Sequence, residues 1–421
     1  MKQRVEQLAI FGGRPLFETG RHVGQPNLPD TSHLLRRIQS VMDSGWLTNN
    51  GPQVRAFESR VCDMLKVRHC IAVCNGTTAI QIMARACNLT GEVIVPSMTF
   101  IATPHALEWI GLKPIFADVD PVTHTLDPDS VVAAITARTT AILGVHVWGN
   151  PCHTDRLQAI ADTHRLRLLF DSSHAFGCRI NGRSLGTFGD AEAFSFHATK
   201  IAHTLEGGVI TTNSDELADR CRRLRNFGIT GLTEIDDAGI NGKLSEVAAA
   251  VGLTILDVFP SLVCQNAANA ETYRTALRDC RGIRLAASTA DDGGNSQYAV
   301  ATVDESEFGL SRNELVAILR AEGAFARSYF SPGCHRAAPY RDDMSHCPVP
   351  LPVTELLLQS VLQFPTGRAV DQQDIWKIAH VVRFTERNSA EIRTRLTASG
   401  ALQYSHADDP AHQAPQRREA A

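Results

Sequence analysis

From about His69 to Ser214 the chain alternates short β-branched runs with helix-length segments, and this alternation narrows the fold more than any other feature. The strand candidates are CIAVC (70–74), EVIVP (92–96), PIFADV (114–119), AILGVHV (141–147), RLLF (167–170), AEAFSF (191–196) and GVITT (208–212). Helical patterns at Ala79–Cys87, Ala102–Trp109, Asp129–Ile135 and Asp155–Thr163 separate the first five. Nearly continuous apolar strands joined through helices require an α/β fold with a largely parallel sheet covered on both faces. The later strands, closer together in sequence, are not bound to run parallel. In such a sheet the functional site lies where the carboxyl ends of the strands meet the following loops.

A second region follows a helix pattern at Leu244–Val258. Helices expected at Ala267–Ala276, Arg312–Ala321, Thr354–Leu362 and Val370–Val382 flank strands at Ile283–Leu285 and Tyr298–Val303, which reads as a smaller α/β domain. The division expected is therefore an N-terminal arm (1–40), a large domain (41–260), a small domain (261–385) and a polar, mobile tail (386–421). A chain of 421 residues, 43% hydrophobic, readily buries the cores this requires.

Charge and cysteine usage exclude several classes. Lys+Arg 41 against Asp+Glu 45 leaves a net charge of −4, without the basic excess that grips a nucleic-acid backbone. The eleven cysteines include no C-x-x-C, and several sit inside apolar strands, where a reduced thiol packs as a small hydrophobe. Cys334-His335 and His346-Cys347 lack zinc-ligand spacing, so no metal is expected. The N-terminus carries no apolar stretch of signal-peptide length, and the longest apolar helix pattern, Glu246–Phe259, is too short to span a bilayer. A cytoplasmic protein without nucleic-acid or membrane partners is expected.

Three segments carry candidate chemistry. In AEAFSFHATK the strand alternation ends at Phe196, and Lys200 follows just beyond it. A lysine at that place can put its amine into a cleft, where burial lowers its pKa; otherwise it is a solvated loop lysine. In RLRLLFDSSHAFG, Asp171 closes an apolar strand and His174 follows on the same loop. Asp171 or Ser172 would equally serve as a helix N-cap, the alternative to a carboxylate holding a proton on a heterocyclic nitrogen. In CIAVCNGTTAI a strand passes through Asn75-Gly76 into a helix; the free N–H groups there, with the Thr77 and Thr78 hydroxyls, suit a phosphate, the alternative being an ordinary strand-to-helix turn. Neither a P-loop nor G-x-G-x-x-G after a strand is present, which argues against ATP and dinucleotides. DVDPVTHTLDPD lacks the central Gly and final Glu of a calcium loop and reads as a strand exit and turn.

The order NGTTAI, VPSMTFIAT, FDSSHAFG, SFHATK, LEGG resembles the DegT/DnrJ/EryC1/StrS family of pyridoxal-phosphate-dependent aminotransferases, which act on keto sugars. The likeness extends from SGWLTNNGPQVRAFE (44–58) through RNFG (225–228) and GINGKLSEVAAAVGL (239–253) to PGCHRAAPY (332–340). It implies a fold-type I aminotransferase architecture, with a seven-stranded, mostly parallel sheet and a smaller C-terminal α/β domain, and a homodimer. The family's cofactor-bonding lysine falls on Lys200, and the carboxylate facing the pyridine nitrogen falls on Asp171. His174 matches the Gln or His that contacts the phenolic oxygen, and Phe100 the aromatic residue stacked on the ring. Gly76, Thr77, Thr78 and Ser195 match the phosphate donors, and Asn241 an asparagine reaching the phosphate from the neighbouring subunit. Leu205-Glu206-Gly207-Gly208 and Asn241-Gly242-Lys243-Leu244 depart from the family's usual G-E-G-G and N-Y-R-M; both resemble a subgroup and bear on sugar specificity.

Relatives resembling sugar 3-dehydratases carry His in place of this lysine, so Lys200 implies transamination. The resemblance implies transfer of an amino group, from L-glutamate, to a nucleotide-linked keto-deoxysugar. Two alternatives are a keto-cyclitol aminotransferase of antibiotic biosynthesis and a non-catalytic regulatory protein retaining the cofactor fold.

Overall fold

The computed structural model describes residues 2–399. Two helices, α1 (Thr31–Ser44) and α2 (Pro52–Leu65), lead into the main sheet. Pro52 opens α2 at a position where its missing N–H costs nothing, and Val54, Phe57, Val61 and Leu65 form its buried stripe. The sheet elements then follow as β1 (His69–Val73), α3 (Gly76–Ala86), β2 (Glu92–Pro96), α4 (Ala102–Glu108), β3 (Lys113–Ala117), α5 (Pro128–Ala134), β4 (Thr139–Val145), α6 (Thr154–His164), β5 (Arg167–Asp171), β6 (Ala191–Ser195) and β7 (Gly208–Thr212). Their spatial order is β1-β7-β6-β5-β4-β2-β3. Only β7 runs antiparallel to its neighbours, β1 and β6. Successive residues face opposite layers: Val95, Leu143 and Leu169 pack with α3, whereas Ile94, Ile142 and Leu168 pack with Leu126, Val131 and Leu157.

After α7 (Asp215–Leu224), helix α8 (Glu246–Leu277) leads to a smaller antiparallel sheet of β8 (Ile283–Leu285), β9 (Ala299–Val303) and, beyond α9 (Arg312–Ala321) and α10 (Pro352–Ser360), β10 (Val361–Phe364). Helices α11 (Gln372–Arg387) and α12 (Ser389–Ser399) close the described chain.

The structure corrects four expectations. The helices expected at Leu244–Val258 and Ala267–Ala276 are one 32-residue helix, so the boundary at 260/261 falls inside an element. Pro260 removes a single backbone hydrogen bond from α8, and burial of Phe259, Leu262, Asn266 and Tyr273 holds the helix together on both sides of it. At that length α8 is long and apolar enough to cross a membrane, contrary to the sequence reading, although 56% of its most apolar window is buried within the protein. The helix expected at Thr354–Leu362 ends at Ser360, because Val361–Phe364 extend and pair with β9. The expected mobile tail begins too early: α11 runs to Arg387, and α12 buries Ile392 and Leu396, one turn apart. The rest of that tail, 400–421, lies outside the described residues. Seven of the eleven cysteines are buried and distribute among the packed clusters, which agrees with their reading as small core residues.

The N-terminal arm belongs to the smaller unit. Val5, Leu8 and Phe17 join the core of Tyr273, Ile318, Phe364 and Ile378, and Arg21–His22 pair with Ala324–Phe325. Glu322 anchors the arm: its carboxylate meets Lys2 Nζ at 2.9 Å and accepts the Ala9 and Leu16 N–H groups at 2.8 and 2.9 Å. Both charges are buried, Glu322 at 0% and Lys2 at 8% exposure. Removing one partner of such a pair leaves an uncompensated charge. Glu322→Ala is expected to lower unfolding stability by about 3 kcal/mol, read by urea denaturation, and to free residues 2–17 for proteolysis. A change within about 0.5 kcal/mol would contradict this.

Candidate active site

The carboxyl ends of β1, β2, β4, β5 and β6 lie along one edge of the sheet, where the antiparallel β7 begins. Asp171 is the last residue of β5 and is 5% exposed. Both its oxygens are held: Oδ1 accepts the Ser173 N–H at 3.1 Å, and Oδ2 accepts the Thr103 hydroxyl at 2.7 Å. The alternative reading of Asp171 as a helix cap falls away, since no helix follows β5.

His174, three residues on, is buried and stacks on the Trp148 indole, ring centroids 5.9 Å apart at 17°. Its Nδ1 accepts the backbone N–H of Trp148 at 3.2 Å. An Nδ1 that accepts assigns the proton of the neutral ring to Nε2, which is then a donor. Burial, reinforced by the positive charge of Lys200, pushes the His174 pKa well below its ordinary value, so the ring is neutral at physiological pH.

Lys200 lies in the turn after β6, its backbone N–H bonded to the His197 carbonyl at 2.9 Å. Part of the side chain is open to the cleft, but the amine is enclosed and donates to the Tyr298 hydroxyl at 3.4 Å. Burial lowers the Lys200 pKa to about 8, against the smaller opposing pull of Asp171 and Tyr329. Above that pH the amine carries the lone pair a carbonyl compound needs. The rate at which the cofactor-free protein reacts covalently with pyridoxal phosphate should therefore climb as pH rises through about 8 and level off above it. A stopped-flow profile still rising toward the ordinary lysine value of 10.5 would overturn this.

At the end of β1, Asn75 caps α3 by accepting the Thr78 N–H at 2.7 Å. The Thr78 N–H is thus committed, and Cys74 Sγ lies 3.4 Å from its hydroxyl. The N–H groups of Gly76 and Thr77 open the helix and have no carbonyl four residues back within it. Gly76 lets the two elements approach closely: a Cβ there would stand 3.0 Å from that of Ser195. A Cβ on Gly208, where β7 starts, would stand 2.8 Å from the Gly76 nitrogen. Phe100 precedes α4 and is 52% exposed.

The structure therefore brings Gly76, Thr77, Thr78, Phe100, Asp171, His174, Ser195 and Lys200 to one edge. Asn241 is exposed, on the return of a loop bridged from Asn226 to Asn241, next to a Gly242 whose Cβ would touch Thr78.

Other residues at this edge escaped the sequence reading. Trp148 packs in a three-ring cluster with His174 and Phe330, at 5.9 and 4.9 Å, and those two rings also stack on each other at 6.1 Å. Asn295 donates to the His174 and Phe176 carbonyls at 2.9 and 3.1 Å, and Gln297 accepts the Ile201 N–H at 3.0 Å. With Tyr298, these seat the segment before β9 on the lysine turn. Thr103 was read only as part of a helix.

The model of the DegT/DnrJ/EryC1/StrS aminotransferase family matches residues 30–383. Among solved structures, DesI in the presence of its TDP-sugar product is 47% identical and superposes with a TM-score of 0.90, covering 94% of this chain and 100% of its own. The dTDP-4-amino-4,6-dideoxy-D-glucose transaminase of Shigella dysenteriae is 39% identical over 320 residues, 76% of this chain and 85% of that protein. The transaminase of the same name from Escherichia coli is 31% identical over 363 residues, 86% of this chain and 97% of that protein.

Proposed function

The chain belongs to the DegT/DnrJ/EryC1/StrS aminotransferase family, whose members depend on pyridoxal phosphate, and we propose that it moves an amino group from L-glutamate to C4 of a dTDP-linked 4-keto-6-deoxyhexose. The observation that carries this is the meeting, at one sheet edge, of an enclosed lysine amine with a carboxylate held at both oxygens.

The donor set fits the cofactor. Gly76, Thr77 and Ser195 offer N–H and hydroxyl donors at a helix start suited to a phosphate. Thr78 contributes its hydroxyl, because Asn75 takes its N–H. His174 presents Nε2–H to a phenolic oxygen, Phe100 an exposed ring face for stacking, and Asp171 a buried carboxylate to a protonated ring nitrogen.

Pyridoxal phosphate, when bound, supplies the aldehyde that receives the amino group and the ring that takes up the electron pair released at the donor's α-carbon. The protein manages the protons. Asp171 holds one on the ring nitrogen, and Lys200 Nζ takes one from the donor carbon and returns it on the other side of the transfer. The Tyr298 hydroxyl, 3.4 Å away, orients that amine.

Arg327 supports an amino-acid donor. Its Nη1 donates to the Tyr329 hydroxyl at 3.2 Å, and its charge is felt at Tyr298, beside Lys200, where an α-carboxylate needs a cation. The names of the two transaminase relatives and the TDP-sugar product of DesI support a dTDP-linked amino sugar and C4. A homodimer is proposed as well, with Asn241 completing the partner's phosphate site. Phe227, Ile229, Leu232, Ile235 and Ile240 are exposed on the same loop and need a covering surface. Eleven unpaired cysteines support a reducing cytoplasm.

The test is an acceptor screen by mass spectrometry with L-glutamate and pyridoxal phosphate. Conversion of dTDP-4-keto-6-deoxyglucose, with 2-oxoglutarate released, is expected. Conversion of a keto-inositol alone would establish the cyclitol alternative. A protein that takes up the cofactor but aminates nothing would support the regulatory one.

A further inference from the structure

Between β2 and Asp171 runs a short chain of buried hydroxyls that the chemistry above does not use. Thr103, in the first turn of α4, is 0% exposed, and Thr99, four residues earlier, is 3% exposed. Thr103 Oγ1 lies 2.7 Å from Asp171 Oδ2, and Thr99 Oγ1 lies 3.0 Å from Thr103 Oγ1. The directions of these bonds are fixed by chemistry. An ionised carboxylate only accepts, so Thr103 gives its proton to Asp171 and accepts that of Thr99.

We propose that Thr103, backed by Thr99, is a positioning residue that fixes the Asp171 carboxylate for its bond to the cofactor's ring nitrogen. The proposal rests on the assignment of Asp171 to that nitrogen.

The argument is geometric. Asp171 ends β5, whereas Thr103 follows β2, and β4 lies between these strands. The hydroxyl therefore reaches across the top of β4 to a carboxylate 68 residues later in the chain. On its other oxygen Asp171 accepts, among the described residues, the Ser173 N–H of its own loop, which moves with it. Thr103 is thus the anchor that ties Oδ2 to a different element. The same turn sets Phe100, whose carbonyl accepts the Thr103 N–H at 3.1 Å. The stacking face and the carboxylate are so referred to one helix start. Cys334 Sγ, 3.3 Å from the Thr99 carbonyl, braces the start of this chain from the loop that follows Pro332. A hydrogen bond to a charged acceptor is about twice as strong as a neutral one, and losing it leaves a buried oxygen short of a donor.

The experiment uses two cofactors. Cofactor-free wild type, Thr103→Val and Thr103→Ser are titrated, by fluorescence, with pyridoxal phosphate and with 1-deazapyridoxal phosphate, in which carbon replaces the ring nitrogen. Wild type should bind the deaza analogue more weakly. Thr103→Val, of nearly the same shape, should bind pyridoxal phosphate about tenfold more weakly, yet the analogue within about twofold of wild type. Thr103→Ser, which keeps the hydroxyl, should restore the preference. Equal losses for both cofactors would make Thr103 a packing residue and overturn the proposal, as would no loss for either. If wild type itself does not distinguish the two cofactors, the assignment of Asp171 fails first, and the proposal with it.

Discussion

Replacing Lys200 with alanine should reduce turnover by roughly 10^4-fold or more. The size follows from what surrounds the amine. His174, the ring nearest in function, is held neutral by burial and by Lys200 itself, and its Nδ1 is committed to Trp148, so it cannot take over the base's work. Tyr298, to which Lys200 donates, has its hydroxyl pKa pushed up by burial and is a poorer base still. Removing Nζ also removes the amine that would tie the cofactor covalently, so the variant should lack the visible absorbance expected of wild type loaded with pyridoxal phosphate. Steady-state kinetics and an absorbance spectrum test both. A loss smaller than about a hundredfold would mean that another group moves the proton.

Asp171→Asn ranks second, with an expected loss of roughly 10^2 to 10^3 in kcat and weaker retention of the cofactor on dialysis. The substitution conserves shape but removes the charge that keeps a proton on the ring nitrogen. It also puts an amide N–H opposite the Thr103 hydroxyl, which must then turn to accept and give its own proton to Thr99. Unchanged kcat with raised KM alone would place Asp171 in binding and not in the chemistry.

Strand ends were legible to the residue where hydrophobic runs stop at a polar group. Glu92–Pro96 and Gly208–Thr212 were read with their exact limits, and Asp171 was recognised as standing at the functional edge. Lys200 and His174 stand out in the sequence because each follows a strand within a few residues. Long-range pairing was hidden. Thr103 and Asp171 meet across the intervening β4, in a strand order that no local pattern carries. Continuity across Pro260 was hidden as well, since the neighbours that support α8 come from both ends of the chain. In VTELLLQSVLQF the apolar run suits helix or strand equally, and pairing of β10 with β9 decides where one becomes the other.

The arm tied to Glu322 sets an order of events during synthesis. Val5, Leu8 and Phe17 are made well before their partners in the smaller core, which begin at Tyr273 and continue to Leu396. At roughly 5–20 residues per second, the arm waits between about fifteen seconds and a minute for its binding surface to emerge. Throughout that interval the three apolar side chains lack these partners, and the Lys2 ammonium has the Gln7 and Arg14 carbonyls of its own arm but not the Glu322 carboxylate. The core of the smaller unit is thus closed jointly by residues 5–17 and 273–396, segments far apart in the order of synthesis.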